Sequence, residues 1–425
     1  MNISQLHQLF LETSGISTDT RKIEQDALFV ALKGDHFNGN KFAQEALGKG
    51  AKYVLIDEKE FEISDKTILV EDCLRALQTL ANFHRKHLHI PIIALTGSNG
   101  KTTTKELIAQ VLRTKYKVVA TKGNLNNHIG VPLTLLSMDE TTEIGVVEMG
   151  ANHLKEIELL ASIAEPNYGY ITNFGKAHLE GFGGIEGVIK GKSELYQHLI
   201  TRNQTIFVNT DDALQVRQSV KAENKITFGS QENTDYKIQI LTHQSNASIQ
   251  YKETVISSNL IGDYNAKNMG VSTAVGLHFG IPIEYTKQAI ENYIPENNRS
   301  QMIEKNTNQI ILDAYNANPT SMELALNNFL RENQNIKVVI LGDMFEVGET
   351  SLEEHQHIVD MIEKSELKAA FVCGESFYKT STQKVIKKKN YNDLRDEIEK
   401  QLFQNNTILI KGSRGMRLER ILEVL

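Results

Sequence analysis

Cysteine is nearly missing from this chain. Only Cys73 and Cys373 occur in 425 residues, far apart in sequence, which argues against a disulfide framework or a zinc site and leaves two structural thiols. Positive charge is not in excess either. Lys and Arg number 46 against 53 Asp and Glu, a formal net charge of -7, and the basic residues are scattered, so neither a nucleic-acid groove nor a polybasic membrane patch is indicated. Long apolar runs are lacking as well. No stretch approaches the roughly 20 residues that span a bilayer, and the start Met1-Asn2-Ile3-Ser4 has neither the charged leader nor the apolar core of a signal peptide. Repeats and low-complexity tracts are absent too. The expectation is a cytoplasmic protein whose partners are small molecules rather than nucleic acid or membrane.

What is present is ordinary globular material, 40% apolar and 23% charged, over a length that favours two or three domains. Residues 16–60 read as a small α/β unit, with strands over 27–32 and 51–56 around a helix over 41–49. After Pro91 the apolar strand 92–96 feeds a Gly-rich turn. A helix follows from Lys101, with Leu107, Ile108, Val111 and Leu112 at helical spacing. Strands over 144–148, 168–172 and 205–209, separated by helical stretches, predict a parallel sheet covered on both faces. The polar segment 292–308 breaks this pattern before a new alternation at 310–313. Strands over 338–341, 369–373 and 407–410, with helices over 322–329 and 352–364, then predict a Rossmann-like unit. The fold class is α/β in three domains: a small N-terminal α/β domain (1–85), a central P-loop-type domain with a mostly parallel sheet (86–297), and a C-terminal Rossmann-like domain (298–425).

The strongest chemical signal is Thr96-Gly97-Ser98-Asn99-Gly100-Lys101-Thr102-Thr103-Thr104, set between a strand and a helix. Glycines let backbone N–H groups face phosphates, the helix N-terminus adds partial positive charge, Lys101 neutralises phosphate oxygens, and the Thr102 hydroxyl can ligate magnesium. The spacing departs from the general P-loop, because Gly97 lies three residues before Gly100 and the general motif needs five. Glu148 closes an apolar strand, so its carboxylate emerges at the sheet edge that carries the glycine turn, where it can hold a magnesium ion. His178, in the polar loop after the strand 168–172, can ligate metal, although a lone histidine is more often structural. By itself Lys192 reads as a solvated helix lysine.

Together these segments resemble the Mur ligase family nearly end to end. Three further markers bring the resemblance nearest to the branch that adds D-alanyl-D-alanine to a UDP-N-acetylmuramoyl-tripeptide. They are Gly123-Asn124-Leu125-Asn126-Asn127-His128-Ile129-Gly130-Val131-Pro132, Asp313-Ala314-Tyr315-Asn316-Ala317-Asn318-Pro319 and Leu341-Gly342-Asp343-Met344-Phe345-Glu346-Val347-Gly348.

The resemblance implies an N-terminal domain for the UDP-sugar, a central ATPase, and a C-terminal domain for the incoming dipeptide. It implies ATP bound through Gly97, Asn99, Gly100, Lys101, Thr102 and Thr103, with Asn265 and Asn268 at the adenine, Arg299 at the phosphates and Asp313 near the nucleotide. Two magnesium ions are implied, held by Thr102, Glu148, His178 and a carbamylated Lys192, so Lys101, His178 and Lys192 become the catalytic set. Substrate contacts are implied at Thr20, Arg21, Asn126, Asn127, His128, Tyr315, Asn316 and Asn318. Carbon dioxide adds only to a neutral amine, and from the ordinary lysine pKa neutrality at pH 7 takes about 4.6 kcal/mol. The site of Lys192 must therefore favour deprotonation.

Some positions depart from the family pattern. Tyr264 stands where His usually precedes the first adenine asparagine, His128 where Asp is frequent, and Asn38 where Asp is common. The Thr18-Asp19-Thr20-Arg21 and Phe37-Asn38-Gly39-Asn40 segments match the UDP-sugar region only loosely. A monomer is expected. Two rival readings are another ligase of the superfamily, such as folylpolyglutamate synthase, and a nucleotide-dependent switch that ligates nothing. The choice of lysine or diaminopimelate at the third peptide position depends on pocket shape and is left open.

Overall fold

Three sheets organise the chain in sequence order, and the computed structural model describes residues 1–242, 246–295, 298–331 and 336–425. The first sheet has four parallel strands, Ile16–Ser17, Leu28–Val30, Tyr53–Ile56 and Thr67–Leu69, in that spatial order. Its buried side chains do not form a separate core. The helix Cys73–Leu88, capped by the Asp72 carboxylate on Arg75 N–H at 2.7 Å, buries Leu77, Leu80 and Ala81. These residues join one apolar cluster containing Leu28, Val54 and Ile56 on one side and Val131, Leu135 and Leu160 on the other. The helix runs through residue 85, where the sequence had suggested that the first unit ends, because its apolar face serves both units.

The central sheet has nine strands. From one edge the order is Thr254–Ile261, Asn246–Tyr251, Tyr236–Leu241, Lys225–Gly229, Thr205–Asn209, Tyr168–Ile171, Ile92–Thr96, Ile144–Glu148 and Val118–Ala120. From Ile92–Thr96 the chain builds two strands on one side and then crosses to Tyr168–Ile171 on the other. Residues 97–100 thus leave the sheet at a topological switch point, where open α/β sheets bind ligands. The strands 92–96, 144–148 and 205–209 have the bounds expected from the sequence. The sheet is mostly parallel, as the sequence led us to expect; its departure from that pattern is Tyr236–Leu241, Asn246–Tyr251 and Thr254–Ile261, which form an antiparallel meander at one edge. One face of that edge is solvated, so its strands alternate in burial and give no continuous apolar run.

The third sheet has six strands, in the order Gln301–Lys305, Asn308–Asp313, Asn406–Lys411, Ile336–Gly342, Ala369–Cys373 and Ile386–Lys388, parallel except for the first. Part of the polar segment expected as a break is therefore a strand: Gln301–Lys305 forms an edge hairpin with Asn308–Asp313, and its exposed position explains its polar composition. Glu296 and Asn297 of that segment lie outside the described residues. Cys73 and Cys373 are buried free thiols, each pushed by burial to about 12. Among the described residues no helix is long and apolar enough to cross a membrane.

Candidate active site

The glycine loop is packed too closely against its neighbours to carry side chains at two positions. Gly97 has φ +142°, and a Cβ there would lie 2.0 Å from Thr172 Oγ1; Gly100 has φ +79°, and a Cβ would meet Asn268 Oδ1 at 2.8 Å. Both positions therefore require glycine. The loop is braced from the next strand. Ser98 N–H donates to Asn173 O at 3.0 Å, Ser98 Oγ to Gly175 O at 2.8 Å, and Asn99 N–H to Asn173 Oδ1 at 3.1 Å, while Thr172 Oγ1 donates to Asn99 O at 2.6 Å. The helix Lys101–Leu112 begins there with Thr102 and Thr103 buried in its first turn, so its free N–H groups face the loop.

Lys101 lies along this loop, its ammonium donating to Gly97 O at 2.7 Å and Ser98 O at 3.2 Å. Burial lowers its pKa to about 8, the Glu148 carboxylate opposing this and the Arg299 guanidinium adding to it. Three residues from distant segments thus share one electrostatic site. Glu148 ends its strand 1% exposed. Its Oε1 accepts from Asn126 Nδ2 at 2.8 Å, whereas its buried Oε2 has no partner among the described residues. An orphaned carboxylate oxygen in a buried site is a strong demand for a cation or donor.

That demand fits magnesium in a particular way. Among the described residues no three His, Cys, Asp or Glu side chains gather into a metal-holding group; of the expected set only Glu148 and His178 are of these types. Magnesium commonly takes one or two carboxylates and completes its shell with substrate phosphates and water. Glu148 beside the glycine loop suits that mode. His178 pairs through Nδ1 with Glu346 Oε2 of the C-terminal domain. Lys192 is wholly buried on the helix Ile185–Thr201, with Nζ donating to Ala151 O at 2.9 Å and lying 4.9 Å from the Phe182 ring centroid. The reading of Lys192 as a solvated lysine is therefore overturned. Burial, then the charge of Lys101, holds its amine well below the ordinary lysine range.

Other expected site residues are placed in supporting positions. Asn265 and Asn268, on the helix Asp263–His278, are buried: Asn265 Nδ2 donates to Ile261 O at 2.8 Å, Asn268 Nδ2 to Asn265 Oδ1 at 2.9 Å, and Thr104 Oγ1 to Asn268 Oδ1 at 3.0 Å. The pair locks that helix to the nucleotide-loop helix. Tyr264, beside them, shares a hydrogen bond of 3.0 Å with Ser300 Oγ and lines a small crevice with Ile261, Asp313 and Phe329. Asn127 caps the helix Gly130–Leu136 by accepting from Ile129 and Gly130 N–H, and His128 is exposed, its carbonyl accepting from Gln78. Thr20 and Arg21 stand in the N-terminal domain, where the guanidinium of Arg21 is taken up by Asp19 at 2.8 Å.

The C-terminal domain meets the loop directly. Asn318 Nδ2 donates to Asn99 Oδ1 at 2.7 Å while its Oδ1 accepts from Ser321 N–H, capping the helix Pro319–Arg331. Lys176 N–H donates to Thr320 Oγ1 at 2.9 Å, and Lys176 Nζ pairs with Glu354 at 2.6 Å. Arg299 stacks 3.7 Å from the centroid of Tyr315, and its buried Nε has no partner among the described residues. Asp313 accepts from Ser300 N–H at 3.2 Å and pairs with Lys411 at 2.5 Å, and Asn316 O lies 3.4 Å from the same ammonium. Sequence reasoning missed Lys411 and Arg414, the latter donating to Tyr315 Oη at 3.0 Å. Both end or follow the apolar strand Asn406–Lys411, the same signal that singled out Glu148.

A glycine loop that ends in a helix N-terminus, an orphaned carboxylate beside a lysine, and an arginine from a second domain make an arrangement suited to moving a phosphoryl group. Comparison with known proteins agrees. The chain matches the family models "Mur ligase family, catalytic domain" over residues 12–85, "Mur ligase middle domain" over 95–276 and "Mur ligase, glutamate ligase domain" over 298–414. It is 35% identical to the UDP-N-acetylmuramoyl-tripeptide–D-alanyl-D-alanine ligase of Bacillus subtilis, across 97% of this chain and 93% of that protein. It superposes on MurF from Acinetobacter baumannii with a TM-score of 0.86 at 29% identity, covering 99% of this chain and 98% of that one. With the MurF ligase of Thermotoga maritima in complex with ADP the TM-score is 0.86 at 27% identity, covering 97% of both chains. From its first sheet to its third, this chain belongs to the Mur ligase family.

Proposed function

We propose that this chain is an ATP-dependent, ADP-forming amide ligase that joins D-alanyl-D-alanine to UDP-N-acetylmuramoyl-tripeptide, giving the UDP-muramoyl pentapeptide of peptidoglycan synthesis. The observation that carries the reading is the 2.7 Å bond between Asn99 of the phosphate loop and Asn318 of the C-terminal domain, which sets the nucleotide site against the segment expected to face the dipeptide. The near full-length likeness to ligases of that name supports the choice of substrates. On this reading residues 1–85 bind the UDP-sugar, 86–297 the ATP and 298–425 the dipeptide, and the reaction takes place in the cytoplasm.

A carboxylate is too poor an electrophile to form an amide in water, and ATP supplies the leaving group. The tripeptide's terminal carboxylate attacks the γ-phosphorus, ADP departs, and the dipeptide amine displaces phosphate from the resulting acyl phosphate. The glycine loop and the first turn of its helix hold the triphosphate through N–H groups. Lys101 moves from the loop carbonyls to phosphate oxygens as charge builds there, and Arg299, held flat on Tyr315, adds a second cation from the other domain. Docking of the C-terminal domain excludes the water that would hydrolyse the acyl phosphate. Magnesium, when bound, neutralises charge between carboxylate and triphosphate; Glu148 and Thr102 would hold one ion, and His178 with Lys192 the region of a second.

A carbamate on Lys192 belongs to the same proposal. The buried amine is held toward its neutral form, the only form that adds carbon dioxide, and Lys101 supplies a cation nearby for the product anion. Lys192→Arg should fold and lose most activity, and intact-protein mass spectrometry under bicarbonate should show the adduct on wild type alone. Full activity of that variant would remove the carbamate.

The reading is tested by ADP release with UDP-muramoyl tripeptide, with and without D-alanyl-D-alanine. Turnover should need the tripeptide and rise strongly with the dipeptide. Equal turnover with folate and glutamate, or nucleotide binding without ligation, would sink it. Lys101→Ala should lower kcat by roughly a hundredfold or more, a few kcal/mol of transition-state stabilisation, with little change in folding stability.

A further inference from the structure

The segment Leu341-Gly342-Asp343-Met344-Phe345-Glu346-Val347-Gly348 is braced by hydrogen bonds to three other parts of its domain. It leaves the strand Ile336–Gly342. Asp343, 3% exposed, accepts from Ser376 N–H at 2.8 Å and Phe377 N–H at 2.9 Å, tying the loop to the helix Glu375–Tyr378. Met344 N–H donates to Nε2 of the buried His355 at 3.0 Å, whose Nδ1 donates to Ser351 O at 2.6 Å. Phe345 N–H donates to Ser413 Oγ at 2.9 Å. So anchored, the chain turns through Glu346 in the left-handed region, φ +59°. A non-glycine residue keeps that conformation only when its surroundings impose it, and such residues gather at functional sites.

The turn aims Glu346 across the domain junction. Its Oε2 accepts from Nδ1 of His178, itself left-handed at φ +53°, in the loop that braces the phosphate cradle. Apolar contacts set the approach: Leu179, next to His178, packs on the cluster containing Met344 and Val347, and Gly348 sits against Glu180. An imidazole whose Nδ1–H is held by a carboxylate keeps its proton there and presents the Nε2 lone pair outward, the arrangement that orients histidines toward cations.

We infer that Glu346 is a positioning residue for His178, fixing its tautomer so that Nε2 faces the reacting phosphates and their cation, and that it does so only when the C-terminal domain is docked. The inference rests on the proposed ligase reading for what Nε2 faces, but the pairing stands on geometry alone. Domain docking and completion of the cation site are then one event. ATP bound in the open enzyme lacks a correctly presented histidine, which restrains phosphoryl transfer before the dipeptide domain is in place.

Two measurements on the full chain test it. The first is the tautomer of His178 from long-range nitrogen–proton correlation of histidine-labelled protein in magnesium-free buffer. Wild type should show the proton on Nδ1, Glu346→Ala should shift it toward Nε2, and Glu346→Gln, whose amide oxygen still accepts, should stay near wild type. The second is the magnesium concentration for half-maximal ADP formation, which should rise about ten- to hundredfold in Glu346→Ala and recover substantially in Glu346→Gln. Lys176→Ala removes the neighbouring Lys176–Glu354 bridge across the same junction but leaves the Asn99–Asn318 bond in place; it controls for the loss of one junction charge pair and should leave the tautomer on Nδ1. A wild-type His178 protonated on Nε2, or a Glu346→Ala protein with unchanged tautomer and magnesium dependence, overturns the inference. If wild type fails to ligate at all, the function reading falls, while the tautomer still decides the pairing.

Discussion

The two domain junctions of this protein are built from different materials. Between the N-terminal and central domains Leu77, Leu80 and Ala81 join one apolar cluster with residues of both sheets, and His7 and His84 extend it, with a hydrogen bond of 3.0 Å between them and His84 Nε2 bonded to Met138 O at 2.8 Å. Between the central and C-terminal domains the bridges are amides and charges, Asn99 to Asn318, Lys176 to Glu354 and His178 to Glu346. Ile261 and Leu179 are the central-domain side chains that reach the C-terminal apolar cores among the described residues. Separating an apolar seal exposes buried surface at roughly 25 cal/mol per Å², whereas water can replace most of what an exposed polar bridge provides. The first junction therefore behaves as part of a core, and the second as a contact that can open and close over substrates.

The largest test of this contrast is at the apolar junction. Leu80→Ala should cost about 2–5 kcal/mol, read by urea unfolding, with the N-terminal and central domains melting together. Separate transitions, or a loss well under 1 kcal/mol, would break the comparison. Next is Arg299→Lys at the polar junction. An ammonium cannot keep the planar stack on Tyr315 and the fork of donors together, so kcat should fall roughly tenfold or more with the melting temperature unchanged. Unchanged kinetics would remove Arg299 from the reaction.

A smaller effect should separate the junctions by pH. Burial, with the neighbouring His84 and His87, lowers His7 from 6.5 to about 4, and burial also lowers His84. The unfolded chain then binds protons that the folded one refuses, so this contribution is complete above about pH 6.5 and is lost as pH falls toward about 4. His7→Phe should flatten the stability profile across that window, and an unaltered profile would remove the histidines from the seal. Smallest of all, Lys176→Ala should change stability by no more than about 0.5 kcal/mol, because the lysine side chain is 51% exposed. Its effect should appear as a modest rise in substrate KM and a weaker dependence of KM on salt.

The phosphate site was legible in the sequence where chemistry is local. The strand Ile92–Thr96, the glycine turn and the helix beginning at Lys101 are consecutive, and Glu148 ends a strand of continuous apolar residues. Asn126 and Asn318 were singled out by motif as substrate contacts, while their bonds within the fold were not legible. In the fold, Asn126 holds Glu148 and Asn318 holds Asn99. Lys192 was the reverse case: its own segment predicts a solvated lysine, and only the packing of its helix against Phe182 and Ala151 buries the amine.

By itself the sequence determined the order of the elements, the switch-point strand, the glycine cradle and the charge types available there, because periodicity, glycine placement and strand ends act over a few residues. Tertiary structure decided which of those charges meet. Asn99 and Asn318 are 219 residues apart, His178 and Glu346 are 168, and the edge hairpin at Gln301–Lys305 is a strand only because Asn308–Asp313 lies beside it. No local pattern encodes such partners. They exist because folding brings separate sheets to a common edge, where a buried carboxylate oxygen or guanidinium nitrogen must find its complement across the junction or in a bound ligand.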